Sequence, residues 1–144
     1  MKRLSGILLL VCAFVLTAYK SAATTQPTVE VVGQKVAVDG GSYTDVSAAE
    51  LQTMLANKDF TFVNVHIPFE GNIANTDLSI PYDQIGQNLD KLPSDKDAKI
   101  VLYCRSGRMS AIAAKTLAGL GHTNIWNLSG GMVAWEQAGL KIDR

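Results

Sequence analysis

The apolar tetrapeptide Ile100-Val-Leu-Tyr103 runs directly into Cys104-Arg-Ser-Gly-Arg-Met-Ser110, and an alanine-rich helical pattern follows at once. A strand that becomes a helix through so short a glycine-containing loop points to a parallel α/β sheet. In such sheets these loops lie outside the carboxyl ends of the strands, where ligands bind. Ala111, Ala114, Leu117, Ala118 and Leu120 predict one apolar side of a helix over 110–120, with Gly119 and Gly121 at its end.

The rest of the chain repeats this alternation. Val29 to Val38 reads as one strand or a short hairpin, broken by Asp39-Gly40-Gly41. Ser47-Ala-Ala-Glu50 is a capping box, and Leu51, Met54 and Leu55 give the helix after it a buried face. Phe60 to Val65 predicts a buried strand, and 66–82, with three breakers in Pro68, Gly71 and Pro81, a loop with at most one helical turn. Ile85, Leu89 and Leu92 predict a short helix over 83–92, ended by Pro93. Asn124 to Leu128 is a further strand, Ser129-Gly-Gly131 a turn, and Met132 to Ala138 a last helix. The expected fold class is therefore α/β, a central and mainly parallel sheet with helices on both faces.

The first residues read differently. Met1-Lys-Arg3 is a basic head, and Ile7 to Ala18 an apolar run of 12 residues, short of the ~20 a membrane-spanning helix needs. Ser21-Ala-Ala23 offers a signal-peptidase site, so 1–23 is expected to be an export signal and the mature chain to begin at Thr24 in the periplasm or outside the cell. The alternative is an uncleaved membrane anchor. Tyr19 stands where a lipoprotein signal would carry cysteine, and Val11 fits poorly before a lipidated Cys12, so no lipid anchor is expected. On this division 24–42 is a tether with the first strand and 43–144 the domain, with no stable membrane insertion after cleavage.

Charge then excludes one class of partner. Beyond residue 23 the chain carries 10 basic against 13 acidic groups. A mildly acidic domain lacks the clustered Lys and Arg that nucleic acid requires. Cleavage would also remove Cys12 and leave Cys104 as the one cysteine, unable to form an internal disulfide. A buried structural cysteine is the plainer explanation, but the flanking residues argue for chemistry. Unpaired N–H groups of the loop and first helical turn converge on one locus with partial positive charge, and a thiolate there is stabilised. Arg105 and Arg108 add permanent charge suited to a small anionic substrate.

Cys104-Arg-Ser-Gly-Arg-Met-Ser110 resembles the active-site loop of the rhodanese family, single-domain sulfurtransferases that carry sulfane sulfur on cysteine as a persulfide. Asn127-Leu-Ser-Gly-Gly131-Met-Val-Ala-Trp135-Glu-Gln-Ala-Gly-Leu140 is similar to that family's closing turn and helix, and Val46 to Val65 to its opening helix and strand. The resemblance spans about 43–140 and implies the rhodanese-like fold. It also implies Cys104 as nucleophile and Arg105, Ser106, Gly107, Arg108, Met109 and Ser110 as the substrate-binding loop. Sulfur would pass from a donor such as thiosulfate to a thiol or cyanide acceptor, with no metal or organic cofactor. The resemblance does not identify an acceptor protein.

The chain departs from the family pattern in three places. Met109 replaces a basic residue or Thr and is expected to pack beneath the loop. Asn64-Val-His66 stands where Asp and Arg are frequent. His66 is either a proton-transfer group at the pocket mouth or a structural histidine, the second being favoured. The loop from Ile67 to Ile80 is also unlike the family's, so acceptor specificity is not carried over. A phosphatase or arsenate reductase on this fold needs an Arg six residues after the cysteine, and that residue here is Ser110; the shorter loop suits sulfur better than a tetrahedral phosphate. A non-catalytic rhodanese-like binding module would be expected to have lost the cysteine, and a thiol-redox role lacks C-x-x-C. Trp126 and Trp135 are expected in packing and His122 on the surface at a helix end. Asp83, Asp90, Asp95 and Asp97 are expected as scattered solvated charges rather than a metal site.

Overall fold

A computed structural model of the chain describes residues 29–144. The expected export signal, its cleavage site and Cys12 lie outside the described residues. Six strands, β1 (Gln34–Val38), β2 (Gly41–Val46), β3 (Thr61–Asn64), β4 (Leu78–Ser79), β5 (Ile100–Tyr103) and β6 (Ile125–Leu128), form one sheet in the order β1-β2-β6-β5-β3-β4. Only the β1–β2 hairpin is antiparallel; every other neighbouring pair is parallel. Three α-helices cover it: α1 (Ala48–Ala56), α2 (Arg108–Gly119) and α3 (Gly131–Gln137).

The central strand shows how the two layers arise. All four residues of β5 are buried, and alternation sends them to opposite faces. Ile100 and Leu102 join Cys104, Ala113, Ala114 and Leu117 under α2, whereas Val101 and Tyr103 join Leu51, Phe62, Met132 and Trp135 under α1 and α3. Cys104 thus continues the α2 face of β5, one residue past the strand. The fold class read from the sequence is the one observed.

Several local expectations need correction. The segment Gly41-Ser-Tyr-Thr-Asp-Val46 is a strand that the sequence reading passed over; it buries only Tyr43 and Val46 and pairs with β6 through 44–46. It also runs across residue 43, so the hairpin is continuous with the domain. Over 83–92 there are two 3-10 helices, Tyr82–Gln87 and Leu89–Lys91, in place of an α-helix. Ile85 and Leu92 are buried as expected, but Gly86 and Asn88 are poor α-formers and the prolines at both ends leave no room for regular turns. Leu120 is 44% exposed because the chain leaves α2 at that point. His122 is buried, because beyond Gly121 its N–H returns to the Leu117 carbonyl at 3.0 Å. Burial, and secondarily the charge of Lys96, lowers the His122 pKa, both disfavouring the charged ring.

The loop 66–82 is ordered by buried polar groups. Asn64 donates to the Gly71 carbonyl at 2.9 Å and to Asn72 Oδ1 at 3.0 Å, and accepts from the His66 N–H at 3.0 Å. Across the sheet the Tyr103 hydroxyl accepts from the Ile73 N–H at 3.0 Å, donates to Asn72 Oδ1 at 3.1 Å and lies 2.7 Å from Thr76 Oγ1. Met54, Leu55 and Trp126 pack on the α1–α3 layer, and the Trp135 indole donates to the Lys141 carbonyl at 3.0 Å.

The capping box forms as expected. Glu50 accepts from the Ser47 N–H at 2.8 Å and hydroxyl at 2.9 Å, and also from the Gly33 and Val32 N–H groups at 2.9 and 3.1 Å. These donors, the Ser47 and Gly33 amides foremost, hold its carboxyl down at about 2. Because the folded-state pKa is depressed, the resulting stability is complete above the ordinary carboxylate range and lost as pH falls toward 2. Glu50→Gln should therefore flatten the acid limb of thermal stability between about pH 5 and 2.5, measured by circular dichroism. Parallel acid limbs for variant and wild type would contradict the assignment.

Candidate active site

α1 and α2 begin in opposite ways. Ser47 and Glu50 close the first turn of α1, whereas α2 starts at Gly107 with no side-chain cap and no acidic residue in its first turn. Its first residue is Arg108, a cation where the helix dipole favours an anion. The N–H groups of Arg105, Ser106, Arg108, Met109 and Ser110 make no hydrogen bond with any described residue. Five donors without a partner among the described residues, next to a helix start that lacks the capping box α1 has, are a local rule broken at a candidate site.

The sulfur lies among them. Cys104 Sγ accepts from the Gly107 N–H at 3.1 Å, and the Ser110 hydroxyl stands 3.4 Å away, within reach also of the Gly107 carbonyl at 3.2 Å. Cys104 is 1% exposed and Ser110 fully buried, so the folded loop covers the sulfur almost completely. This is a thiol among fixed dipoles, in contrast to one paired with a basic side chain.

Two glycines explain how the loop reaches this shape. The carbonyls of Cys104 and Arg105 accept from the Met132 and Val133 N–H groups, both at 2.9 Å, in the first turn of α3. With both carbonyls turned to α3, the amides of the loop are left to face the other way. A Cβ on Gly131 (φ +58°) would clash with the Cys104 carbonyl oxygen. One on Gly107 (φ +93°) would lie 3.0 Å from the Gly130 nitrogen. The two ends of the resemblance, the cysteine loop and the Gly-Gly turn, are in direct backbone contact.

The other candidate residues divide. Met109 packs against the core beneath the loop. Ser106 and Arg108 are exposed, and Arg108 takes part in none of the ion pairs among the described residues. Arg105, 61% exposed at its side chain, leans away to Glu70, with Nη1 at 3.1 Å from Oε1. His66 Nε2 is 2.7 Å from the other oxygen of Glu70, and its buried Nδ1 has no partner among the described residues. His66 therefore acts on Glu70. The sequence reading missed Glu70; the spacing His66-x-x-x-Glu70 was the available signal, but its partner Arg105 is 35 positions away. Among the described residues no group of three His, Cys, Asp or Glu side chains is placed to hold a metal ion.

Known proteins resemble this chain over the region that carries the site. A family model for the Rhodanese-like domain matches residues 47–138. A protein described as "Sulfurtransferase" from Allochromatium vinosum is 33% identical over 102 residues, covering 68% of this chain and 92% of that protein. A tRNA uridine(34) hydroxylase of Erwinia tasmaniensis is 32% identical over 107 residues, and the match takes in 70% of this chain but only 30% of that longer protein. Among solved structures, a rhodanese-related protein from Thermoplasma volcanium superposes with a TM-score of 0.58 at 32% identity, over 68% of this chain and 95% of that one. A protein from Rhodopseudomonas palustris, described as of unknown function and a possible tyrosine phosphatase, gives 0.57 at 28% identity, over 67% and 82%.

Gly131→Ala should destabilise the protein by about 3 kcal/mol, since it adds both a clash and a strained φ, and lower its Tm by roughly 10 °C. Thermal unfolding within a degree or two of wild type would show that the α3 contact does not hold the loop.

Proposed function

The chain belongs to the rhodanese-like domain family, and on that premise we propose that it is a sulfurtransferase whose nucleophile is Cys104. The observation that carries the proposal is the Cys104 sulfur bonded to the Gly107 N–H at 3.1 Å amid loop amides without other partners. The Cys104 thiolate attacks the outer sulfur of a donor such as thiosulfate. A new S–S bond forms, the bond from that sulfur to the sulfonate breaks, and its electron pair leaves with sulfite. The terminal persulfide sulfur then lies where the free amides of 105–110 can donate to it. An acceptor thiolate or cyanide attacks that outer sulfur, and the Cys104 thiolate is regenerated. Arg108 supplies a cation for the incoming anion, and the Ser110 hydroxyl donates to the departing thiolate.

Two relatives suggest other substrates. The likeness to tRNA uridine(34) hydroxylase concerns a minority of that protein's length, so its reaction is not carried over, and the mildly acidic surface offers nucleic acid little. Against phosphatase chemistry, Ser110 stands where the gripping Arg would be, and its hydroxyl faces the sulfur at 3.4 Å. We further propose that the protein works in the periplasm or outside the cell after cleavage behind Ala23.

Purified protein should transfer sulfur from thiosulfate to cyanide and show a 32 Da adduct on Cys104 after donor alone. Cys104→Ser should reduce turnover at least ~10³-fold, to background. Equal rates for the two proteins, or hydrolysis of an aryl phosphate in place of sulfur transfer, would overturn the reading. For export, the chain isolated from the cell envelope should begin at Thr24; an intact Met1 in that fraction would refute cleavage.

A further inference from the structure

We propose that Glu70 is a specificity-determining residue that turns the site toward monoanionic or uncharged organic sulfur donors and away from dianions. The inference rests on Cys104 being the nucleophile for such donors. Arg105, adjacent to the nucleophile, is the guanidinium a dianion would be expected to use. It is instead neutralised by the Glu70 carboxylate at 3.1 Å, and that carboxylate is held from its other side by His66 at 2.7 Å. His66 is itself fixed, through its N–H to Asn64 Oδ1 and by near-complete burial of its ring, so Glu70 is anchored and does not simply drift on the surface.

The surroundings reinforce the same balance. A cavity of about 100 Å³ beside Arg105 is lined by Glu70, Arg105, Met132, Val133, Glu136 and Arg144. Its second arginine is neutralised too, with Arg144 Nη2 at 2.8 Å from Glu136 Oε1. Arg108 is then the one arginine beside the cysteine without a carboxylate partner among the described residues. One unopposed cation matches one negative charge; a second charge on the donor would meet Glu70. Phe69, the residue before Glu70 in sequence, is 61% exposed, an apolar surface that an inorganic dianion cannot use but an organic group can.

The test separates charge at the site from sulfur transfer. Alkylation of Cys104 is timed with iodoacetate, an anion, and iodoacetamide, its neutral counterpart. The ratio of the two rates cancels the intrinsic reactivity of the thiol. In Glu70→Gln this ratio should rise roughly threefold or more at low ionic strength, and the gain should shrink as salt is added. Glu70→Asp, which keeps the charge, should stay within about twofold of wild type. In turnover assays Glu70→Gln should shift kcat/KM toward thiosulfate relative to the monoanion methanethiosulfonate, chiefly through KM. An unchanged alkylation ratio in Glu70→Gln, or an equal rise in Glu70→Asp, overturns the proposal. If the ratio rises while neither protein turns over either donor, the charge filter stands and the sulfurtransferase reading falls.

Discussion

Everything at the candidate site depends on two carbonyl groups pointing the wrong way for an ordinary loop. The oxygens of Cys104 and Arg105 are held at 2.9 Å by the first amides of α3, and this is sterically open only because Gly131 has no side chain there. The hydrogen bonds set the peptide planes, which turn the N–H groups of Arg105 and Ser106 away from α3, while the Gly107 N–H donates to the sulfur at 3.1 Å. The cysteine loop and the closing Gly-Gly turn, 27 residues apart in sequence, act as one backbone unit.

What the sequence made legible follows from what is local. Ile100-Val-Leu-Tyr103 announced a doubly covered strand by its unbroken apolar run, and α2 announced itself by spacing and by the glycines at its end. The capping box of α1 was readable because both partners lie within four residues. β2 was passed over because an edge-adjacent strand that buries only Tyr43 and Val46 has no apolar run to show. The spacing of Ile85, Leu89 and Leu92 does not distinguish an α-helix from the 3-10 turns that form over 82–91, because both satisfy it. His122 was misplaced since a residue just past a helix is usually outside, and only the return of the chain to the Leu117 carbonyl buries it.

The candidate site was legible to the same extent. The loop could be named because its residues are consecutive, and Met109 under the loop follows from its flexible apolar side chain. Its opposition could not be seen. Arg105 read as a free anion binder, and only the fold brings Glu70 to it from another strand's loop. His66 read as a choice between proton transfer and structure, and its 2.7 Å contact gives it a third office, fixing a carboxylate.

Stability and reactivity are distributed accordingly. The α1 end of the sheet carries a complete capping box, with Glu50 accepting from four donors and holding the incoming segment at Val32 and Gly33. Behind the site, Tyr103 and Asn64 tie the 66–82 loop through fully bonded buried groups, so that loop can hold His66 and Glu70 in place. The α2 end does the reverse: it begins without a cap, places a cation against its own dipole and leaves amides without partners. A helix start built this way is costly unless something negative occupies it. On the proposed chemistry, the attacking thiolate and the persulfide it forms would each bring a negative charge to this helix start. The same donors without protein partners, a cost to the fold, would then stabilise the charged states of the proposed sulfur transfer.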